Sequence, residues 1–224
     1  MLIGRNLVYA TFLTLLLSTL VASQCDLARA EEYAALPASA EETTPLKTGD
    51  RVPGFTVRTV DNEPYVFDPD ELENPTILIS FRGGWCPWCN MHLSELRHVI
   101  PQLQQDGYDV LFLSNDRPEA LYSSLKLETQ EAIEGREYVI LSDAEMVAAR
   151  ALGTAFRLDD ATIERYDGFG IDYSGSSIDK FRALAVPAVY VINRSGEIVF
   201  DFVEPDYKVR LSADDLLSAV KTAL

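Results

Sequence analysis

Cys86 and Cys89 stand three positions apart in the run Arg82-Gly83-Gly84-Trp85-Cys86-Pro87-Trp88-Cys89. An apolar, β-like stretch, residues 76–81, comes directly before this run. A helical pattern over residues 90–105 comes directly after it, with Leu93, Leu96, Ile100 and Leu103 at helical spacing. Such a chain passes from a buried strand, through a glycine turn, into a helix that opens on its thiols. In that setting Cys-x-x-Cys points to redox chemistry.

The spacing also assigns roles. Pro87 suits the first helical position, where a missing N–H loses no partner. Cys86 is then the N-cap and Cys89 the third helical residue. Free amide hydrogens and the positive end of the helix dipole would favour a thiolate at Cys86, making it the attacking thiol. Cys89 lies one turn inward and would resolve a mixed disulfide, closing a Cys86–Cys89 bond. Gly83 and Gly84 permit a tight turn that leaves the sulfur approachable, and Trp85 and Trp88 would wall the site. Arg82 and Arg117 are candidates for stabilising a thiolate or a bound peroxide, with an ordinary surface role as the alternative.

Other uses of two cysteines fit less well. A static disulfide here would close a very short loop and constrain the unfolded chain little. A zinc site built from Cys86, Cys89 and His92 fails on distance, because the outer two lie about 9 Å apart along a helix axis. The ligand atoms of one zinc must sit within about 4 Å of one another. Covalent haem attachment needs His after the second cysteine, and Asn90 is there. His92 and His98 read as structural or solvent-facing.

Beyond the motif, strands and helices alternate. Residues 55–60 and 64–67 suggest a hairpin, residues 109–113 and 138–141 further strands, and residues 118–127 and 144–152 helices. Pro101 should kink the helix that begins at the thiols. Residues 154–182 read as a short helix and loop inserted into the core fold. A late hairpin, residues 188–192 and 198–203, precedes a final helix capped by Ser212. The expected fold is α/β, a mixed sheet flanked by helices, with an N-terminal β-hairpin and an insertion before a late strand.

Three further features bound the protein. Arg5, the uncharged apolar residues 7–22 and Ala28-Arg29-Ala30 resemble a secretory signal over residues 1–30. Residues 31–48 read as a flexible tether, and the folded domain covers residues 49–224. Cleavage would remove Cys25, the alternative being lipid attachment through it, and would leave an even cysteine pair suited to a periplasmic or extracellular setting, without stable membrane insertion. The net charge of -16 argues against nucleic acid as a partner. Pro187 directly before a buried strand predicts a cis Val186–Pro187 bond, which would offer a backbone edge to a substrate peptide.

The segment Phe81-Arg82-Gly83-Gly84-Trp85-Cys86-Pro87-Trp88-Cys89-Asn90 resembles the active-site stretch of peroxiredoxin-like proteins of the alkyl hydroperoxide reductase/thiol-specific antioxidant (redoxin) family. Val186-Pro187-Ala188, Val191-Ile192-Asn193, Gly196, the tail from Val203 to Tyr207, and Gly168-Phe169-Gly170-Ile171-Asp172 resemble later blocks in the same order. The resemblance implies a thioredoxin-like sheet and thiol-dependent antioxidant or oxidoreductase activity. It makes Cys86 the peroxidatic or attacking cysteine and Cys89 the resolving one. One departure is chemical. Typical members carry Thr or Ser three residues before the reactive cysteine and Pro seven before it, where this chain has Gly83 and Ile79. The hydroxyl that would orient a peroxide is missing, whereas disulfide exchange needs only the two sulfurs.

The sequence therefore leads to an exported thiol–disulfide oxidoreductase with an antioxidant role and no organic cofactor. Its substrates would be protein disulfides or hydroperoxides, and an external thiol would reset it. A true hydroperoxide peroxidase is the alternative enzyme. A copper-delivery protein on the same fold is the alternative non-enzyme, and it would want a third soft or imidazole ligand on a downstream loop, whereas no Cys or His follows His98.

Overall fold

The computed structural model describes residues 33–136 and 138–223. The candidate signal, residues 1–30, and Cys25 with it lie outside the described residues. The chain divides into two units after Leu36, and the elements below belong to the second, Pro37–Leu224.

An antiparallel hairpin comes first, β1 (Phe55–Arg58) with β2 (Pro64–Phe67), in register from Phe55↔Phe67 to Arg58↔Pro64. Phe55 and Phe67 stack at 4.8 Å on its buried face. β3 (Thr76–Phe81) follows and is buried at all six positions. Its side chains alternate between two cores. Ile77, Ile79 and Phe81 join one cluster and Leu78 the other. Burying such side chains contributes about 1.5–3 kcal/mol each, against roughly 1–2 kcal/mol per residue to order the backbone. That is why an uninterrupted apolar run becomes the middle of the sheet.

The helix after the thiols is interrupted. α1 (Pro87–Leu96) and α2 (Ile100–Gln105) are separate, where one kinked helix is expected from the sequence. The ring of Pro101 would strike the carbonyl four residues back, at Arg97, so the helix opens there. β4 (Asp109–Ser114) lies parallel to β3. Residues 118–127, expected to be a helix, form only a 3-10 turn, Pro118–Ala120, before α3 (Leu127–Ile133). Two tertiary bonds take the intervening chain. Ser124 Oγ donates to Asp116 at 2.8 Å, and the Lys126 amide donates to Asn90 Oδ1 at 2.8 Å.

β5 (Val139–Ser142) runs parallel to β4 and leads into α4 (Val147–Ala151). The buried Asp143 accepts the amides of Ala148 and Ala149, at 2.9 and 2.8 Å, at the head of this helix. Asp143→Ala should cost about 2 kcal/mol, since it strands two buried N–H groups. Urea unfolding of the variant measures it.

The insertion is more ordered than a helix and loop. It contains β6 (Ala155–Arg157), α5 (Asp160–Gly168), α6 (Ser177–Phe181) and β7 (Ala183–Ala185). β6 and β7 pair into their own two-stranded sheet over a small core of Leu158, Tyr166, Ile178 and Leu184. Asn115, just beyond β4, ties the insertion to the body by accepting the amides of Ala185 at 3.0 Å and Ser177 at 2.8 Å.

β8 (Ala188–Ile192) lies antiparallel to β3, and β9 (Ile198–Val203) antiparallel to β8. α7 (Ala213–Ala223) ends the described chain. The main sheet has seven strands in the order β2-β1-β5-β4-β3-β8-β9. Side by side in it, β3 leads into the thiol turn and β4 into Asn115 and Asp116.

Two sequence expectations are corrected. The Val186–Pro187 bond is trans, as is every described peptide bond. Pro187 precedes the first ladder pair of β8, Ala188 with Ser80 and Val203, so its missing N–H removes no sheet hydrogen bond and a trans bond serves. Residues 37–48 are also not a free tether within the described residues. Leu46 N donates to Leu152 O at 3.0 Å, and Thr48 gives both its amide and its hydroxyl to Asp201 at 2.8 Å.

Candidate active site

Glycine is required in the turn between β3 and α1. Gly83 has φ +139, and a Cβ there would lie 2.6 Å from Asp116 Oδ1. A Cβ on Gly84 would lie 2.5 Å from the Ser124 carbonyl carbon and 2.6 Å from the Leu125 amide nitrogen. The turn is gripped from two sides. Asp116, buried beyond the end of β4, accepts the Gly84 N–H at 2.7 Å. Asn90, in the first turn of α1, donates to Gly84 O at 2.6 Å and to Cys86 O at 3.0 Å. Burial pushes the Asp116 carboxyl up to about 6, against the hydrogen bonds from Gly84, Ser124 and Ser114, which lower it.

Pro87 takes the first helical position, and Cys86 is the N-cap with extended backbone, φ -85 and ψ 117. Both cysteines are free thiols. The Cys86 thiol falls to about 6, and the causes differ in rank from those read in the sequence. The Cys89 thiol, hydrogen-bonding to Cys86, is the largest. Burial opposes it. The Arg82 charge comes next, then the Cys89 amide, then the Arg210 charge. Amides at the helix head are thus a lesser source of the shift, and Cys86 makes no side-chain capping hydrogen bond. Burial pushes the Cys89 thiol well up, and its bond to Cys86 adds to this, so it stays protonated while Cys86 ionises.

Two guanidiniums face the pair. Arg82, at the end of β3, is buried and caged by three rings, with its guanidinium carbon 5.1 Å from the Trp85 centroid, 5.5 Å from Tyr166 and 4.2 Å from Tyr207. It donates to the Tyr166 hydroxyl, and its Nε has no partner among the described residues. Arg210, on the loop before α7, places Nη2 3.7 Å from Cys89 Sγ and also has an unpartnered buried Nε. Arg82→Met should therefore raise the Cys86 pKa and slow its alkylation below pH 7. Iodoacetamide rates against pH would measure both effects.

The structure gathers Arg82, Gly83, Gly84, Trp85, Pro87, Cys86 and Cys89. Trp88 turns outward and is 37% exposed. Pro187 lies near Arg82, lining the same pocket. Arg117 is elsewhere. Its Nη2 pairs with Asp179 at 2.8 Å on the surface, because the turn after β4 points it toward α6. The expectation of an approachable sulfur also needs correcting, since Cys86 is only 1% exposed and Cys89 is fully buried. Trp85 packs against Tyr166 at 5.8 Å, and these rings with Arg82 cover the site. His92 is structural, as read. Its Nε2–H donates to Leu211 O at 3.0 Å, and burial, aided by the Arg210 charge, lowers its pKa to about 4.

The sequence alone does not reveal the roles of Arg210, Tyr166, Asp116 and Asn90. They come from four separate elements, and only Asn90, next to Cys89, carried a local signal. Tyr207 stood in a matched tail block without a physical role, and its ring under Arg82 now provides one.

The model of the AhpC/TSA family matches residues 48–200. The chain belongs to the AhpC/TSA family. Several solved structures resemble this AhpC/TSA protein. Reduced Prx3 in complex with H2O2 from Vibrio vulnificus is 18% identical, with a TM-score of 0.59 over 78% of this chain and 99% of that one. AhpC from Enterococcus faecalis is 19% identical, with a TM-score of 0.57 over 80% and 93%. Peroxidoxin BcpB from Mycobacterium tuberculosis is 16% identical, with a TM-score of 0.53 over 80% and 96%. At these identities the likeness is one of fold, which is thioredoxin-like. A search of curated proteins found no match. As an AhpC/TSA protein the chain is a thiol-dependent oxidoreductase of peroxiredoxin type.

Proposed function

We propose that the chain reduces small hydroperoxides by a dithiol cycle at Cys86 and Cys89. One observation carries this reading. Cys86 combines a thiol lowered to about 6 with 1% exposure and two flanking guanidiniums. The sequence favoured disulfide exchange because Gly83 replaces the orienting hydroxyl. Burial of the sulfur shifts the balance, since a peroxide needs far less room than the in-line approach of a protein disulfide. Arg82 and Arg210 supply charge where the hydroxyl is missing.

In the first step the Cys86 thiolate attacks one peroxide oxygen. The S–O bond forms, the O–O bond breaks, and the departing alkoxide takes a proton and leaves as alcohol. Cys86 is then a sulfenic acid. Cys89 attacks its sulfur, the S–S bond forms, and hydroxide leaves with the Cys89 proton as water. Two electrons pass from the dithiol to the peroxide, and an external thiol returns them.

Rapid mixing of Cys89→Ser protein with hydrogen peroxide and, separately, with a model protein disulfide tests the reading. Fast sulfenic acid at Cys86 with slow mixed-disulfide formation supports it, and the reverse order overturns it. Disulfide exchange keeps one specific support. Trp88, 37% exposed, and Met91, 61% exposed, leave apolar surface on α1 for a client chain. Export belongs to the same proposal and rests on residues 1–30 of the sequence.

A further inference from the structure

α1 meets the loop before α7 along one ridge. Cys89 Sγ lies 3.7 Å from Arg210 Nη2, His92 Nε2–H donates to Leu211 O at 3.0 Å, and Glu95 Oε1 accepts the Ala213 amide at 3.1 Å. Residues three apart are neighbours on a helix surface. The helix that carries the resolving sulfur therefore also grips the chain just beyond Arg210. Arg210 Nη1 donates to Val209 O at 2.9 Å. Its Nε is buried, and neither a partner for that nitrogen nor a carboxylate for the guanidinium is found among the described residues. A positive charge is thus held in place, uncompensated, beside one sulfur.

The two guanidiniums divide between the two thiols. At Cys86 the Arg82 charge acts more strongly than that of Arg210, and at Cys89 the order reverses. Cys89 needs such a partner. It is fully buried, and burial together with its bond to Cys86 keeps its proton on in the reduced protein. Only a thiolate attacks. Once Cys86 has become a neutral sulfenic acid, the negative charge that opposed a second thiolate is gone, and Arg210 is the cation in contact with Cys89.

We propose that Arg210 is the catalytic residue of the resolving step: its guanidinium holds the negative charge on Cys89 Sγ while that sulfur attacks oxidised Cys86. Arg210 keeps its own protons. The S–S bond forms, the bond from the Cys86 sulfur to its leaving group breaks, and that group departs with the Cys89 proton. Cys89 is oxidised as the Cys86 sulfur is reduced. The inference rests on the two-sulfur cycle proposed above, but not on peroxide being the oxidant.

A small reagent isolates this step. Equimolar methyl methanethiosulfonate places a methylthio group on the Cys86 sulfur of the reduced full-length protein, with methanesulfinate leaving. Cys89 then displaces the group as methanethiol, and mass spectrometry of acid-quenched samples follows the decay of the adduct. Arg210→Gln and Arg210→Met should slow that decay about ten- to a hundredfold, the loss expected for one hydrogen bond to a charged group, and Arg210→Lys should recover part of it. The pH midpoint of the decay should rise in the two neutral variants, since the Arg210 charge lowers the Cys89 thiol. The other titratable or charged groups acting there are Cys86, blocked in the adduct, and Arg82 at the end of β3; His92, one turn along α1, is neutral above about 4. Near-ultraviolet circular dichroism checks that each variant is folded. Arg194→Met, in the exposed β8–β9 turn, removes a charge elsewhere and should leave the decay unaltered. Unchanged decay in Arg210→Gln and Arg210→Met, or equal slowing by Arg194→Met, would overturn the inference. Slowed decay of the adduct in a protein that forms no sulfenic acid with hydrogen peroxide would instead count against the proposed reaction and leave the role of Arg210 standing.

Discussion

Cys86→Ser should remove peroxide turnover by roughly a thousandfold or more, because the hydroxyl of serine is not ionised at a neutral pH where the thiol is. Cys89→Ser should behave differently. Its first encounter with peroxide should still oxidise Cys86, and the sulfenic acid should then accumulate, since no second sulfur is placed to displace hydroxide. Cys89→Ala, which removes the donor that serine keeps, should in addition lose the low-pH advantage, because the Cys89 hydrogen bond is the largest influence lowering the Cys86 pKa. A quenched-flow count of sulfenic acid per protein separates the two serine variants. Equal residual turnover in both would contradict the roles assigned here. The pH dependence has a definite sign. Ionisation activates Cys86, so the rate should rise as pH increases through about 6 and level off above it.

Gly84→Ala should be strongly damaging to both stability and reactivity. The added carbon meets Ser124 Oγ at 2.2 Å and also backbone that cannot swing away, 2.5 Å from the Ser124 carbonyl carbon and 2.6 Å from the Leu125 amide nitrogen. Relief requires Gly84 or residues 124–125 to shift. A shift draws the Gly84 amide off Asp116, at 2.7 Å, and strains the Ser124–Asp116 bond at 2.8 Å. Overpacking of this kind costs about 1–3 kcal/mol. Loss of a charged, buried hydrogen bond adds about 1.5–3 kcal/mol. Thermal unfolding should show the lowered stability, and the surviving folded fraction should react more slowly because Cys86 is two residues from the displaced turn. An alanine variant with unchanged melting temperature and rate would show that the turn is not held as described.

What the sequence made legible follows from what is local. β3, β8 and β9 are apolar runs bounded by turn residues, and the strands form where that pattern places them. The thiol turn was legible for the same reason, since Pro87, Gly83 and Gly84 act on their own backbone. Residues 118–127 carry a helical pattern that does not become one helix, because Asp116 and Asn90 draw Ser124 and Lys126 out of helical geometry, and those partners are close only after folding. The small sheet of the insertion leaves no periodic signal, because β6 and β7 are only three residues each. Arg210 is the clearest omission. It stands 121 residues from Cys89, in a stretch without a motif, and only the packing of the last loop brings it to the sulfur. Arg117 shows the converse, a plausible charge near the site in sequence that the turn after β4 directs to Asp179.

The central claim is that Cys86 is a thiolate near neutral pH because the Cys89 thiol and two arginines favour its charge despite burial. Ultraviolet titration of the reduced protein measures this directly. We expect one thiol to ionise with a midpoint of about 6 and Cys89 to remain protonated well above it. A single midpoint near the ordinary thiol value of about 8.5, unchanged by Arg82→Met, would contradict the account.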